Sequence, residues 1–89
     1  MSNLEKRLKL FEMLAKIDNA RDIEYLFEDL CTKKEISNMA ERLYAAELLM
    51  KGNTYNQVMA RANISSATLS RVSRCVQHGK GYSVFLRKK

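Results

Sequence analysis

The sequence predicts an all-α fold of five to six helices. Three observations carry that expectation. The 89 residues include no proline, and the three glycines stand at 52, 79 and 81, where they act as punctuation. Apolar residues recur at helical period through most of the chain. Recognisable start and stop residues then cut this pattern into segments. One domain is expected at this length, near the size at which a single core becomes marginal.

The first helix starts after Ser2 or Asn3 and runs to about Ile17. Its apolar residues form two stripes, Leu4, Leu8, Phe11 and Ala15 on one and Leu10, Leu14 and Ile17 on the other, with Met13 between. A helix apolar over so wide an arc must bury more than one edge. A chain this short rarely supplies that cover within a compact monomer, so residues 1–30 are expected to interlock with a second copy as dimerising helices. The second helix runs from Asn19 or Ala20 to Leu30, with Ile23, Leu26, Phe27 and Leu30 facing inward.

The third helix has the clearest start signal, Thr32-Lys33-Lys34-Glu35, in which hydroxyl and carboxylate can each accept from the other residue's amide. Ile36, Met39, Ala40, Leu43, Ala46, Leu49 and Met50 keep its period up to Gly52, where a left-handed cap is expected. Residues 32–51 thus form a central helix. A fourth helix, capped by Thr54, runs to about Ala62, and a fifth, capped by Ser65, to about Gln77. His78-Gly79-Lys80-Gly81 breaks the pattern, and the short tail over 78–89 reads equally as a turn of helix or an extended strand.

Charge is divided along the chain. Residues 48–89 carry 8 Lys/Arg and no Asp/Glu, whereas residues 1–47 carry 8 basic and 10 acidic residues, a balance of +8 against −2. A net charge of +6 favours a polyanionic partner, and the segregation places the positive field on residues 54–77 and their tail. Catalysis is not expected. The single histidine, His78, stands between Gln77 and Gly79, and no HExxH, phosphate-cradling glycine loop or carboxylate–histidine constellation is present. Cys31 and Cys75 fit neither a C-x-x-C nor a zinc spacing, so both read as reduced, buried small hydrophobes, with no metal and no cofactor implied. MSNLEKRLKLFEML lacks the apolar run of a signal peptide, and no stretch approaches the ~20 apolar residues of a membrane span. A cytoplasmic, nucleoid-associated protein with no membrane partner is expected.

Residues Thr54 to Arg74, TYNQVMARANISSATLSRVSR, read as a helix-turn-helix with its turn at Ala62-Asn63-Ile64. A reading helix lies in a major groove only if its leading residues are small enough to bring the backbone near the bases. Ser65, Ser66, Ala67, Thr68, Ser70 and Arg71 line that leading edge. Hydroxyls reach phosphates or base edges, Ala67 suits a thymine methyl, and an arginine can pair bidentately with guanine. Thr54, Asn56 and Gln57 open the preceding helix and are expected on flanking phosphates, with Arg74 and Lys80 supplying charge. Val58, Ala62, Ile64, Leu69 and Val72 should hold the pair together and against the central helix. Asn63 is expected at positive φ, where such motifs usually carry glycine. Met59 stands where many motifs have alanine and suggests wider helix packing.

Several stretches resemble the Trp-repressor family, in particular its small YerC/YecD-type members. They are Leu30-Cys31-Thr32, Ala40-Glu41-Arg42, Glu47 to Gly52 and Ser65 to Cys75, in order and nearly in spacing, together with the tail up to Gly81-Tyr82. The resemblance implies a single Trp-repressor-like domain over 1–89, an intertwined homodimer that binds a double-stranded DNA operator and represses transcription. It also implies an effector pocket at Thr32, Arg42 and Arg71. The residue after the last arginine is glycine in the tryptophan-responsive branch, leaving a slot for the indole. Here it is Val72, whose branched side chain would fill that slot, so tryptophan is not the expected corepressor. A purine, another small molecule or no effector remain open. The alternative function is a helical RNA-binding or protein-interaction module that uses the basic half without reading sequence. RNA readers usually expose aromatics for base stacking, and Tyr55 and Tyr82 are the only aromatics well placed on the basic half.

Overall fold

The computed structural model describes residues 1–87, and among them are six helices and no strand. They are α1 (Asn3–Ala15), α2 (Ala20–Leu30), α3 (Lys33–Met50), α4 (Tyr55–Arg61), α5 (Ser66–His78) and α6 (Gly81–Phe85). Of the expected tail over 78–89, His78 ends α5 and Gly81–Phe85 is helix; Lys88 and Lys89 lie outside the described residues. The chain forms two compact units, Met1–Lys33 and Lys34–Lys89.

In the first unit, α1 is opened by a reciprocal cap. The Glu5 amide donates to Ser2 Oγ at 3.1 Å, and the Ser2 amide donates to Glu5 Oε1 at 2.8 Å. The bond from the Ser2 amide first, and one from the Ser2 side chain second, hold the Glu5 carboxyl below its ordinary value. The helix stops short of Ile17 because the Lys16 and Ile17 amides turn back to the carbonyls of Met13 and Leu14, both at 3.1 Å. These are tight three-residue bonds that end the α pattern. Asn19 caps α2 by accepting from the Asp22 amide at 2.9 Å.

The two stripes of α1 have different fates. Leu10, Leu14 and Ile17 are half-buried. Leu4, Leu8 and Phe11 remain 59%, 52% and 61% exposed, and no residue of α1 or α2 is fully buried. On α2, Leu26 and Phe27 are half-buried, but Ile23 and Leu30, expected inward, are exposed.

The second unit holds the core. Ala45, Ala46 and Leu48 of α3 pack with Val58 of α4, Ala62 at its end, and Leu69 and Val72 of α5. Two adjacent alanines on α3 leave room for close helix approach, and the branched residues fill it. Past Met50 the chain closes in a Schellman cap. Gly52 has φ +95°, its amide reaches the Leu49 carbonyl at 3.0 Å, and the Asn53 amide reaches that of Leu48 at 3.1 Å. Asn53 Nδ2 adds a second donor to the Leu48 carbonyl at 2.9 Å. At the other end, Tyr82 and Leu86 dock α6 onto the core, leaving Val84 and Phe85 outside. Cys31 and Cys75 are free thiols, half-buried rather than fully buried as expected.

Candidate nucleic-acid interface

Each helix of the 54–78 pair begins with a side-chain cap. Thr54 Oγ1 accepts from the Gln57 amide at 3.2 Å while Gln57 Oε1 accepts from the Thr54 amide at 2.8 Å. Ser65 Oγ accepts from the Thr68 amide at 3.2 Å. Between them Ala62 is extended (φ −100°, ψ 139°) and the Ile64 amide donates to the Ala62 carbonyl at 2.9 Å.

That turn corrects one expectation. Asn63 is not left-handed, and among the described residues no non-glycine residue has positive φ. A bond from residue to residue-plus-two is an inverse γ-turn, which bends the chain at negative φ and needs no glycine-like centre. Met59 is 39% exposed. The other packing residues stand as expected, with Val58, Ala62, Leu69 and Val72 buried and Ile64 half-buried against them.

With Leu69, Val72 and Ser73 buried, α5 turns Ser66, Ala67, Ser70, Arg71 and Arg74 outward on one continuous face. Ser65 is exposed ahead of them, and Thr68 is half-buried on the flank. Thr54, Asn56 and Gln57 are exposed at the start of α4. Lys80 is not part of the α5 face; it is the exposed N-cap residue of α6. Arg61, in the last turn of α4, is exposed and was not singled out from sequence, although its side chain adds to the same charge. Neither helix contains a carboxylate, so the outward field of the pair is wholly positive.

A polar cleft of about 220 Å³ lies where α3 meets the turn and α5, lined by Asn38, Glu41, Arg42, Asn63, Ile64, Ser65 and Thr68. Of the three effector residues expected, Arg42 is here and half-buried, Arg71 faces outward on α5, and Thr32 belongs to the first unit. Asn38 and Glu41 were not foreseen as lining it, although Asn38 stands one helical turn before Arg42 on the same face of α3. Val72 is 1% exposed and part of the core, so the position following Arg71 offers no open slot. Among the described residues no group of three or more His, Cys, Asp or Glu could hold a metal, and no helix is long and apolar enough to cross a membrane.

Comparison with known proteins agrees with this architecture. Residues 5–89 match the family model of the Trp repressor protein. YerC of Bacillus subtilis (strain 168), itself of uncharacterised function, is 38% identical over 71 residues, spanning 80% of this chain and 68% of YerC. A crystal structure from Staphylococcus aureus, of a protein provisionally named a Trp repressor, superposes with a TM-score of 0.85 at 32% identity, covering 97% of this chain and 92% of that one. The family is one of transcription regulators rather than enzymes, and it points to DNA binding.

Proposed function

We propose that this chain, which belongs to the Trp repressor family, is a homodimeric transcriptional repressor that reads a two-fold symmetric operator with α5 in the major groove. The observation that carries the reading is the outward face of α5. It combines the small residues Ser66, Ala67 and Ser70 with Arg71 and Arg74, has no acid, and is braced from behind by buried Leu69 and Val72. Small side chains let the helix backbone approach the base edges, and the rigid backing fixes their register. Arg71 reads a guanine edge, Ala67 packs on a thymine methyl, and Ser66 and Ser70 bond base edges or phosphates. Arg74, Lys80 and the exposed Thr54, Asn56 and Gln57 neutralise or bond the flanking backbone. In known helix-turn-helix dimers, Trp repressor among them, half-sites lie about 34–36 Å apart, and a two-fold protein matches that spacing. The exposed stripe of α1 supplies the surface for such pairing.

Polarisation anisotropy with duplexes enriched from a random library tests the reading, against scrambled duplexes and single-stranded RNA over a salt series. An enriched duplex should bind at least ~10³-fold more tightly than a scrambled one. Equal affinity for every duplex would sink the operator-reading claim, and tighter binding to single-stranded RNA would transfer the basic face to RNA.

A further inference from the structure

The second unit has three acidic residues, Glu35, Glu41 and Glu47, all on α3. Their settings differ. Glu35 stands in the first turn of the helix. Glu47 lines a cleft of about 320 Å³ that it shares with two cations, Lys51 and Arg87. Glu41 lines the polar cleft against α5, together with a single cation, Arg42, and with Ser65 and Thr68. Glu41 and Arg42 are both half-buried, and among the described residues neither side chain has a hydrogen-bond or ion-pair partner. A carboxylate that no cation holds therefore stands at the leading end of α5. The outward residues of α4 and α5, by contrast, are all neutral or basic.

We propose that Glu41 is a brake on DNA binding: its carboxylate repels the phosphate flanking the start of α5 and lowers affinity for every duplex alike. The inference rests on the DNA-binding reading above. In a docked helix-turn-helix the first residues of the second helix meet base edges, and phosphates run on either side of them. A group that lines one cleft with Ser65 and Thr68 lies at the edge of such a duplex, where the nearest charge is a phosphate. Two like charges about 6–10 Å apart, with water partly excluded, repel enough to shift affinity by about two- to tenfold. Arg42 offsets part of this repulsion without cancelling it, because no bond holds its guanidinium against the carboxylate. The penalty falls on phosphate and is blind to sequence. It keeps the basic helices off random DNA and leaves occupancy to sites where base contacts add to the backbone attraction.

Anisotropy titrations of charge variants of the full chain test it, with the enriched and the scrambled duplex each at low and high salt. Glu41→Gln keeps the size of the side chain and removes its charge. It should tighten binding to both duplexes by the same factor, about two- to tenfold. Glu41→Lys should tighten both further, and Glu41→Asp should leave the parent's affinity. The gain should shrink as salt rises, because screening weakens repulsion between charges. A gain indifferent to salt would be structural in origin and would overturn the proposal. Unchanged affinity in Glu41→Gln would remove the brake. Weaker binding confined to the enriched duplex would make Glu41 a base reader that accepts from a cytosine amino group. Each of these results overturns the proposal while the DNA-binding reading stands. Absence of duplex binding by parent and variants alike overturns both.

Discussion

The Ile64 amide and the Ala62 carbonyl meet at 2.9 Å, closing the corner of the helix-turn-helix around the single residue Asn63. Such a corner holds its centre at negative φ, where glycine has no advantage and brings only extra freedom to the unfolded chain. Asn63→Gly should therefore destabilise the protein by on the order of 0.5–1 kcal/mol, and Asn63→Ala by less. Urea denaturation of both variants checks this. A gain in stability from glycine would mean that the corner is left-handed after all.

The two glycines around Lys80 should respond in opposite directions. A Cβ on Gly79 would stand 2.6 Å from the Cys75 carbonyl oxygen, the same oxygen that accepts the Gly79 amide at 2.8 Å. Backbone on both sides cannot yield cheaply, so Gly79→Ala should cost about 1–3 kcal/mol. At Gly81 nothing lies within 4 Å of the added atom, and the residue is already helical. Gly81→Ala should stabilise by about 0.4–1 kcal/mol. Thermal melts of the two variants should move to either side of the parent.

Glu5 gives a pH signature. Its carboxyl accepts from the Ser2 amide and lies below its ordinary value of 4.5. A depressed folded-state value means that the cap's contribution is fully present above that ordinary value and fades as pH falls through the lowered one. Below pH 4.5 the start of α1 should fray first, seen as a shift of the Ser2 amide resonance. Glu5→Gln should flatten that titration while leaving the amide bonded.

Where α1, α4 and α5 begin was legible because Ser2, Thr54 and Ser65 are capping residues ahead of periodic apolar runs, and the end of α3 because Gly52 can adopt the left-handed cap. The core of the α4–α5 pair was legible for the same reason, since Val58, Ala62, Leu69 and Val72 repeat at helical spacing, but on α3 the expected face missed buried Ala45 and Leu48 and included Leu43, which is exposed. The turn was misjudged because asparagine tolerates positive φ without requiring it, and the choice falls to the backbone bond from Ile64 to Ala62. The tail stayed undecided because α6, five residues long, owes its helix to the docking of Tyr82 and Leu86 rather than to local propensity. Side-chain pairing was hidden too. Ser65 and Thr68 look like independent candidate contacts in sequence, whereas their hydroxyls are bonded to each other at 3.0 Å.

Val72 carries the argument about tryptophan. At 1% exposure it fills core space behind Arg71, where the tryptophan-responsive branch has glycine. Val72→Ala should cost about 2 kcal/mol through loss of two methyl groups from a packed site. Calorimetric titration of the unaltered protein with tryptophan should give no saturable heat. Micromolar binding would show that the indole is accommodated without the glycine slot.

The proposed dimer makes its sharpest demand on α1. Leu4, Leu8 and Phe11 fall at helical spacing on one face and keep more than half their surface, while Leu10, Leu14 and Ile17 on the other edge are half-buried. On a monomer, charging the exposed face would be harmless, because lysine at exposed positions leaves the core untouched. In a dimer the same change strands buried charges in an apolar contact. Leu8→Lys with Phe11→Lys should therefore convert a sedimenting dimer to a monomer. It should also weaken binding to a two-half-site duplex by far more than to a single half-site, since the second half-site is engaged only through the partner. A parent chain that sediments as a monomer at micromolar concentration would remove the dimer, and a doubly charged variant that stays dimeric would move the interface to another face.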